Sequence, residues 1–374
     1  MLARMGVTRR GFLRATGLAG GTLFIGSSVW RSGRWLAQAQ SSAPPVVDRL
    51  AVRVVVDSFM DGLVRSGKIG NVEVERVSGA SLTKRIHGEF GLSLHLESQR
   101  GGEKRNFLLD FGYTPGPLLN NLDILKIDLS SINALIVSHG HYDHFGGLVP
   151  FLKQERAKMR RDLSIYAGGE DTFCYRWTQS PGGQRESFGV LDRRELSAAN
   201  VRVVTAEKPA VIEGQAFTTG AIPRSGFEKV IPAAQVEIGV RDGAGCDAAH
   251  FSKEEQEGKI VADQFRGEHA TCFNVKDRGL VVITSCGHAG LINSVRQAQT
   301  VSGTQKVHAV IGGFHLSPAP ESYVVQTVQA LKEINPDYLV PMHCSGAGFT
   351  RVVQREMPDK LIISYTGSRY TFGV

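Results

Sequence analysis

Six consecutive residues hold most of the chemistry this chain can perform. His139-Gly140-His141-Tyr142-Asp143-His144 puts three imidazoles and a carboxylate into one short loop. Imidazole nitrogen and carboxylate oxygen are donors that zinc accepts, and iron and manganese accept them too. One ion cannot take all four from so short a stretch. Two adjacent ions can, if alternate side chains face opposite ways. Gly146 and Gly147 follow and allow a tight turn into the next element. The expected cofactors are therefore two divalent ions, zinc first, with iron or manganese as alternatives. A bound divalent ion lowers the pKa of water to about 7, so the expected chemistry is attack by an activated water.

These residues must be held by rigid elements. Val52, Val54 and Val56 alternate in an early strand, Leu92, Leu94 and Leu96 repeat the pattern, and 106–110 reads as the next strand. The buried run 133–137 ends at the histidine cluster, and 147–155 has helical spacing with Leu148 and Leu152 on one face. The second half repeats this logic. Thr271–Val275 and 280–284 read as a hairpin across Lys276-Asp277-Arg278-Gly279, followed by a helix over 291–299, a strand over 307–311, a helix over 323–334 and a strand over Tyr338–Pro341. This alternation predicts a layered α/β fold. Its last strands run into His288, His315 and His343, as expected when a site gathers at the carboxyl ends of strands. Two Gly-rich, charged stretches, 179–194 and 239–267, show no period and read as loops or insertions that cover a site.

The loop His139-x-His141-x-Asp143-His144 resembles the signature of the metallo-β-lactamase superfamily. That resemblance implies an αββα sandwich, two mixed sheets flanked by helices, with a dinuclear metal site. It also implies that His139 and His141 serve one metal and Asp143 and His144 the second. Asp110, in Leu108-Leu109-Asp110-Phe111-Gly112, resembles the first motif of the family and would orient a histidine or a water. Ser285-Cys286-Gly287-His288-Ala289-Gly290, Ile311-Gly312-Gly313-Phe314-His315-Leu316 and Pro341-Met342-His343-Cys344-Ser345-Gly346 resemble one branch, named for dihydropterin ribofuranosyl-aminobenzene phosphate synthase. Ile222-Pro223-Arg224 with Phe227-Glu228 resembles it too, and the likeness spans residues 50–370.

The bridging aspartate usual in the superfamily is absent here, and Ser285-Cys286 stands in its place. The resemblance then implies His288 as third ligand of the first metal and His343 as ligand of the second. His315 is open between ligand and substrate-facing donor, Cys286 is a candidate for the bridging role, and His269 is a reserve ligand. Asp143 would both ligate and steer the nucleophile. Arg224 is a candidate clamp for an anionic substrate.

The branch name implies a transferase, but the N-terminus argues for export, away from cytoplasmic pterin precursors. Thr8-Arg9-Arg10-Gly11-Phe12-Leu13-Arg14 resembles a twin-arginine signal, an uncharged apolar stretch spans 15–30, and Ala37-Gln38-Ala39 offers a cleavage site. The expected organisation is a signal peptide over 1–39, a linker over 40–49 and one domain over 50–374. Localisation is expected to be periplasmic or otherwise exported, through the twin-arginine machinery, with no stable membrane association after cleavage. The net charge of +7 includes six arginines within residues 1–39; removing those six from 43 Lys and Arg leaves 37, against 36 Asp and Glu. That near-neutral remainder excludes nucleic acid as an expected partner. None of the five cysteines suggests a disulfide framework: Cys286 and Cys344 read as site neighbours, and Cys174, Cys246 and Cys272 as buried thiols. The favoured function is an exported hydrolase of a small, anionic ester, phosphoester or lactone. The transferase, and a metal-dependent binding or sensor protein, are the alternatives.

Overall fold

Arg49–Val56 is apolar at most positions and buried at seven of its eight residues. A strand with so little polar surface needs a packed layer on each face. The computed structural model describes residues 44–180, 182–231 and 234–373, and supplies both layers. The export signal expected over 1–39 lies outside the described residues, as do linker positions 40–43.

Arg49–Val56 pairs antiparallel with Ser93–Arg100 on one side and with Ser368–Phe372 on the other, Val52 facing Leu96 and Tyr370. Glu103–Leu109, Ile132–Val137 and Ser164–Ala167 extend the same nine-stranded mixed sheet, the last two parallel to their neighbours. A second, seven-stranded mixed sheet is centred on Thr271–Val275, Gly279–Thr284, Val307–Gly312 and Tyr338–Pro341.

Side-chain alternation sorts the residues into three apolar layers. Val52, Val54, Leu94, Leu96, Phe107 and Ile136 of the first sheet meet Phe273, Val281, Ile283, Ile311 and Val340 of the second. The opposite register, with Val55, Leu108, Leu135 and Val137, packs against Leu118, Leu122, Leu148, Phe151 and Leu152 from the helices Pro115–Ile124 and Leu148–Glu155. Val282, Val310 and Leu339 face the helices Leu291–Ser302, Glu321–Ile334 and Gly346–Glu356. The order helix, sheet, sheet, helix is the αββα sandwich the sequence led us to expect.

Each of the stretches read as loops holds a strand, Arg185–Ser187 within 179–194 and Ile260–Ala262 within 239–267, and these join two strands that lie beside the stretches. Tyr175–Gln179, Arg185–Ser187, Gln235–Glu237 and Ile260–Ala262 form a separate four-stranded antiparallel sheet. Its strands are too short and too polar for periodicity to stand out. The reading of Cys174 and Cys246 as buried thiols is corrected: they form a disulfide that ties this sheet to the 239–267 stretch, beside Val236, Ile238 and Phe251. Their separation of 72 residues resembles no compact cysteine framework, so only the fold brings them together. Cys272, Cys286 and Cys344 are free and buried. Denatured but unreduced protein is therefore expected to titrate three thiols with an aromatic disulfide reagent, and all five after reduction.

Candidate metal centre

The site forms where strands of both sheets end. Glu103–Leu109 delivers Asp110, Ile132–Val137 delivers the 138–144 loop, and Arg49–Val56 delivers Asp57. From the second sheet, Gly279–Thr284 leads to Cys286 and His288, Val307–Gly312 to His315, and Tyr338–Pro341 to His343 and Cys344. Asp110, His315 and His343 each adopt a left-handed backbone (φ 58°, 44° and 50°), uncommon for residues with a side chain. Such backbone costs of order 1–3 kcal/mol and persists where the surroundings enforce it.

One carboxylate organises the loop. Ser138 donates its backbone N–H to Asp110 Oδ1 (2.8 Å) and its hydroxyl to Oδ2 (2.7 Å), and His144 donates Nδ1–H to the same Oδ2 (2.7 Å). The Ser138 hydroxyl, its proton committed, accepts from His139 Nδ1 at 2.9 Å. Asp110 thus fixes the tautomer of both His139 and His144 and leaves each Nε2 as a bare lone pair, the form a metal needs. His139 Nε2, His141 Nε2, Asp143 Oδ1, His288 Nδ1 and Nε2, and His343 Nδ1 are buried without a hydrogen-bond partner, and His343 Nε2 stands 3.3 Å from Asp143 Oδ2. Buried polar atoms are nearly always paired, and each orphan costs about 1–3 kcal/mol. This cluster of orphans is chemically a donor set that a divalent metal ion could satisfy, so the residues fit that cofactor.

The ligand atoms fall into adjoining groups whose members lie within 4.8 Å of one another. His139, His141 and His288 form one, and Asp143, His144 and His343 another. These are the six positions expected as ligands, brought together from residues 139 to 343. His315 sits at the edge, grouped with Cys286 and His288, its ring 4.1 Å from that of His288. His269 turns Nε2 to the Val137 carbonyl (3.1 Å) and joins no such group among the described residues. Arg224 is exposed on its loop, donating to Gln264 Oε1 at 3.1 Å.

Burial favours the neutral form of His139, His141 and His288, whereas His343, buried too, is drawn up to about 9 by the Cys344 sulfur and the carboxylates of Asp143 and Asp57. Burial pushes His141 down to about 3 against the pull of Asp143 and Asp263, and it lowers His139 and His288 well below the ordinary value, helped by neighbouring histidines. Burial also opposes ionisation of Asp143, but His144, His343 and His141 override it, and the carboxyl falls below its usual range.

Several contributors escaped the sequence reading. Glu268 accepts the backbone N–H groups of His288 (2.9 Å) and Ala289 (2.6 Å), and Asp57 accepts that of His343 (2.8 Å). Both carboxylates therefore shape the loops that carry distant histidines. Asp57, at the end of a buried strand, carried the same signal as Asp110. Beneath the loop, buried Arg176 donates Nε–H to Asp263 (2.6 Å) and N–H to the Asp171 carbonyl (2.9 Å). A Cβ at Gly140 would collide with this guanidinium, so glycine is required there. Phe265 stacks on His288 (3.9 Å between centroids, 6° between planes), and Phe188 meets His141 edge-on at 5.2 Å.

Residues 99–228 match the family model for the metallo-beta-lactamase superfamily, a span that includes Asp110 and the whole 139–144 loop. Over that span the chain is similar to the superfamily. Over 289 residues it is 27% identical to the 7,8-dihydropterin-6-methyl-4-(β-D-ribofuranosyl)-aminobenzene-5'-phosphate synthase of Methanocaldococcus jannaschii, covering 76% of this chain and 91% of that one. An uncharacterised protein of the same organism is 24% identical over 265 residues, 70% of this chain and 86% of the relative. A solved metal-dependent hydrolase of the β-lactamase superfamily superposes with a TM-score of 0.61 at 22% identity, over 86% of this chain and 98% of that one, a likeness of fold. At this site, Asp110→Asn places an amide N–H against either His144 Nδ1 or the Ser138 N–H. Metal affinity is expected to fall about 10–100-fold, read by competition with a chromogenic chelator.

Proposed function

We propose that the chain is an exported hydrolase that uses a dinuclear divalent-metal site on a small ester, phosphoester or lactone, with anionic substrates favoured. One observation carries this reading: two adjoining groups of buried donor atoms, His139/His141/His288 and Asp143/His144/His343, most without a protein partner. Two ions bound there supply Lewis acidity and an activated water. The protein's own groups do the rest. Asp110 holds His139 and His144 in the ligating tautomer, and Glu268 and Asp57 fix the loops of His288 and His343. Asp143, ligating through one carboxylate oxygen, would steer the nucleophile with the other, and His315, half-buried at the edge, would donate a proton to a departing group. Phe188 and Phe265 exclude bulk water beside His141 and His288, which strengthens the electrostatic interactions there.

A synthase-type transfer is the second reading. It is supported by the methanogen relative, whose named product carries pterin and aminobenzene rings, and by ring surface at the site: Phe90 is exposed and its ring lies 4.9 Å from His343, and Phe188 and Phe265 flank the histidines. Purified chain is expected to hold two zinc equivalents, with His141→Ala and His288→Ala each losing metal and phosphoester or lactone hydrolysis at least 100-fold. Full metal content with no hydrolysis, but turnover when a ring-bearing acceptor is added, would favour the transfer reading. One equivalent or none in the wild type, with His288→Ala unchanged, would defeat the dinuclear assignment.

Export is supported by the Arg9-Arg10 motif and by the Cys174–Cys246 disulfide, a bond that persists in oxidising compartments. Replacing Arg9 and Arg10 with Lys is expected to leave an uncleaved precursor in the cytoplasmic fraction, seen by immunoblot. Equal export of the variant would remove this part of the reading.

A further inference from the structure

The donor groups share a member that the assignment above leaves unused. Among the described residues, Cys286 belongs to three of the five groups able to hold an ion: with His139 and His144, with His288 and His315, and with His343 and Cys344. Those partners come from both sides of the site. His139 and His288 belong to the first group, and His144 and His343 to the second. Cys286 Sγ lies 3.2 Å from His144 Nε2, the lone pair left bare by the bond to Asp110. The side chain is almost fully buried, and the unpartnered nitrogens of His139, His288 and His343 surround it.

We infer that Cys286 is a thiolate ligand shared by both ions, a sulfur bridge at the centre of the site. The inference rests on the dinuclear reading. As the first sulfur–metal bond forms, the thiol gives its one proton to solvent, because a coordinating thiol is deprotonated outright, and the second bond would draw on a further lone pair of the thiolate. Cys344 has a different part. Its sulfur stands 3.3 Å from that of Cys286 and accepts the His315 backbone N–H at 3.2 Å. From there it donates its S–H to the Cys286 sulfur and stays outside the coordination shell. A sulfur bridge makes the centre softer than an all-nitrogen-and-oxygen site, favouring zinc over manganese.

Cobalt(II) reports thiolate ligation by a sulfur-to-metal charge-transfer band in the near ultraviolet, independent of turnover. The purified chain, stripped with a chelator, is titrated anaerobically with cobalt(II) alone. The band is expected to grow over both equivalents, to vanish in Cys286→Ser and to persist in Cys344→Ser. Proton release on loading at neutral pH is expected to be one greater for the wild type than for Cys286→Ser. Two bound cobalt ions with no band would overturn the sulfur bridge while leaving the dinuclear reading standing. A band complete at one equivalent would make the thiolate a terminal ligand, and a band lost only in Cys344→Ser would move it to the other cysteine; either result sinks the proposal. Fewer than two bound ions would take the bridge and the dinuclear reading down together. If Cys286→Ser fails to fold, the wild-type titration and the persistence of the band in Cys344→Ser together still decide.

Discussion

The carboxylate of Asp110 is the point on which the site depends. It is fully buried, it sits in a left-handed backbone at the end of Glu103–Leu109, and it accepts from Ser138 and His144 at 2.7–2.8 Å. Through the Ser138 hydroxyl it reaches His139 as well. One residue on one strand therefore sets the protonation pattern of imidazoles in both donor groups. A buried carboxylate left unpaired would be expensive, and these bonds are what make its burial tolerable. The same bonds commit the Nδ1 protons of two histidines and turn their Nε2 lone pairs inward. Stability of the loop and readiness to bind metal come from one set of contacts.

That arrangement concentrates unfavourable features in a small volume. Orphaned nitrogens, a buried acidic side chain and three left-handed residues gather at the strand ends. The two sheets around them supply the offset, since nearly all of their inward-facing residues are buried apolar side chains. Ligand binding to the native state would add to that stability by mass action. A rigid sandwich with a strained, polar rim is a sound division of labour: the core fixes positions, and the rim carries the chemistry.

The four-stranded sheet built from the two long excursions gives this domain its own character. It sends Phe188 to the edge of His141 and leads through Asp263 to Phe265, stacked on His288. Arg176, on the Tyr175–Gln179 strand, lies under Gly140, and its partner Asp263 comes within 3.9 Å of His141. The excursion thus supports the 139–144 loop from below and walls it from the side. The Cys174–Cys246 bond restrains an element whose own apolar cluster is small.

Much of this was legible in the residues themselves. Strand and helix periods declared the layers because burial on one face or two leaves its mark on every second, or every third and fourth, residue. The 139–144 loop announced its chemistry because its donors are contiguous, and Asp110 because it closes a buried strand. Other features depend on residues far apart in the chain, and no local pattern records them. Glu268 meets the N–H groups of His288 and Ala289 only because the hairpin returns beside it, and Asp57 meets His343 across 286 residues. The disulfide, the buried Arg176–Asp263 pair and the sulfur of Cys286 between two histidine groups are products of the same closure. The sequence by itself determined which groups could bind and react, because that is a property of side-chain types and local spacing. Only the tertiary structure decided which of them meet, since a hydrogen bond or a ligand sphere is set by distances of a few ångströms between segments that chain order leaves far apart.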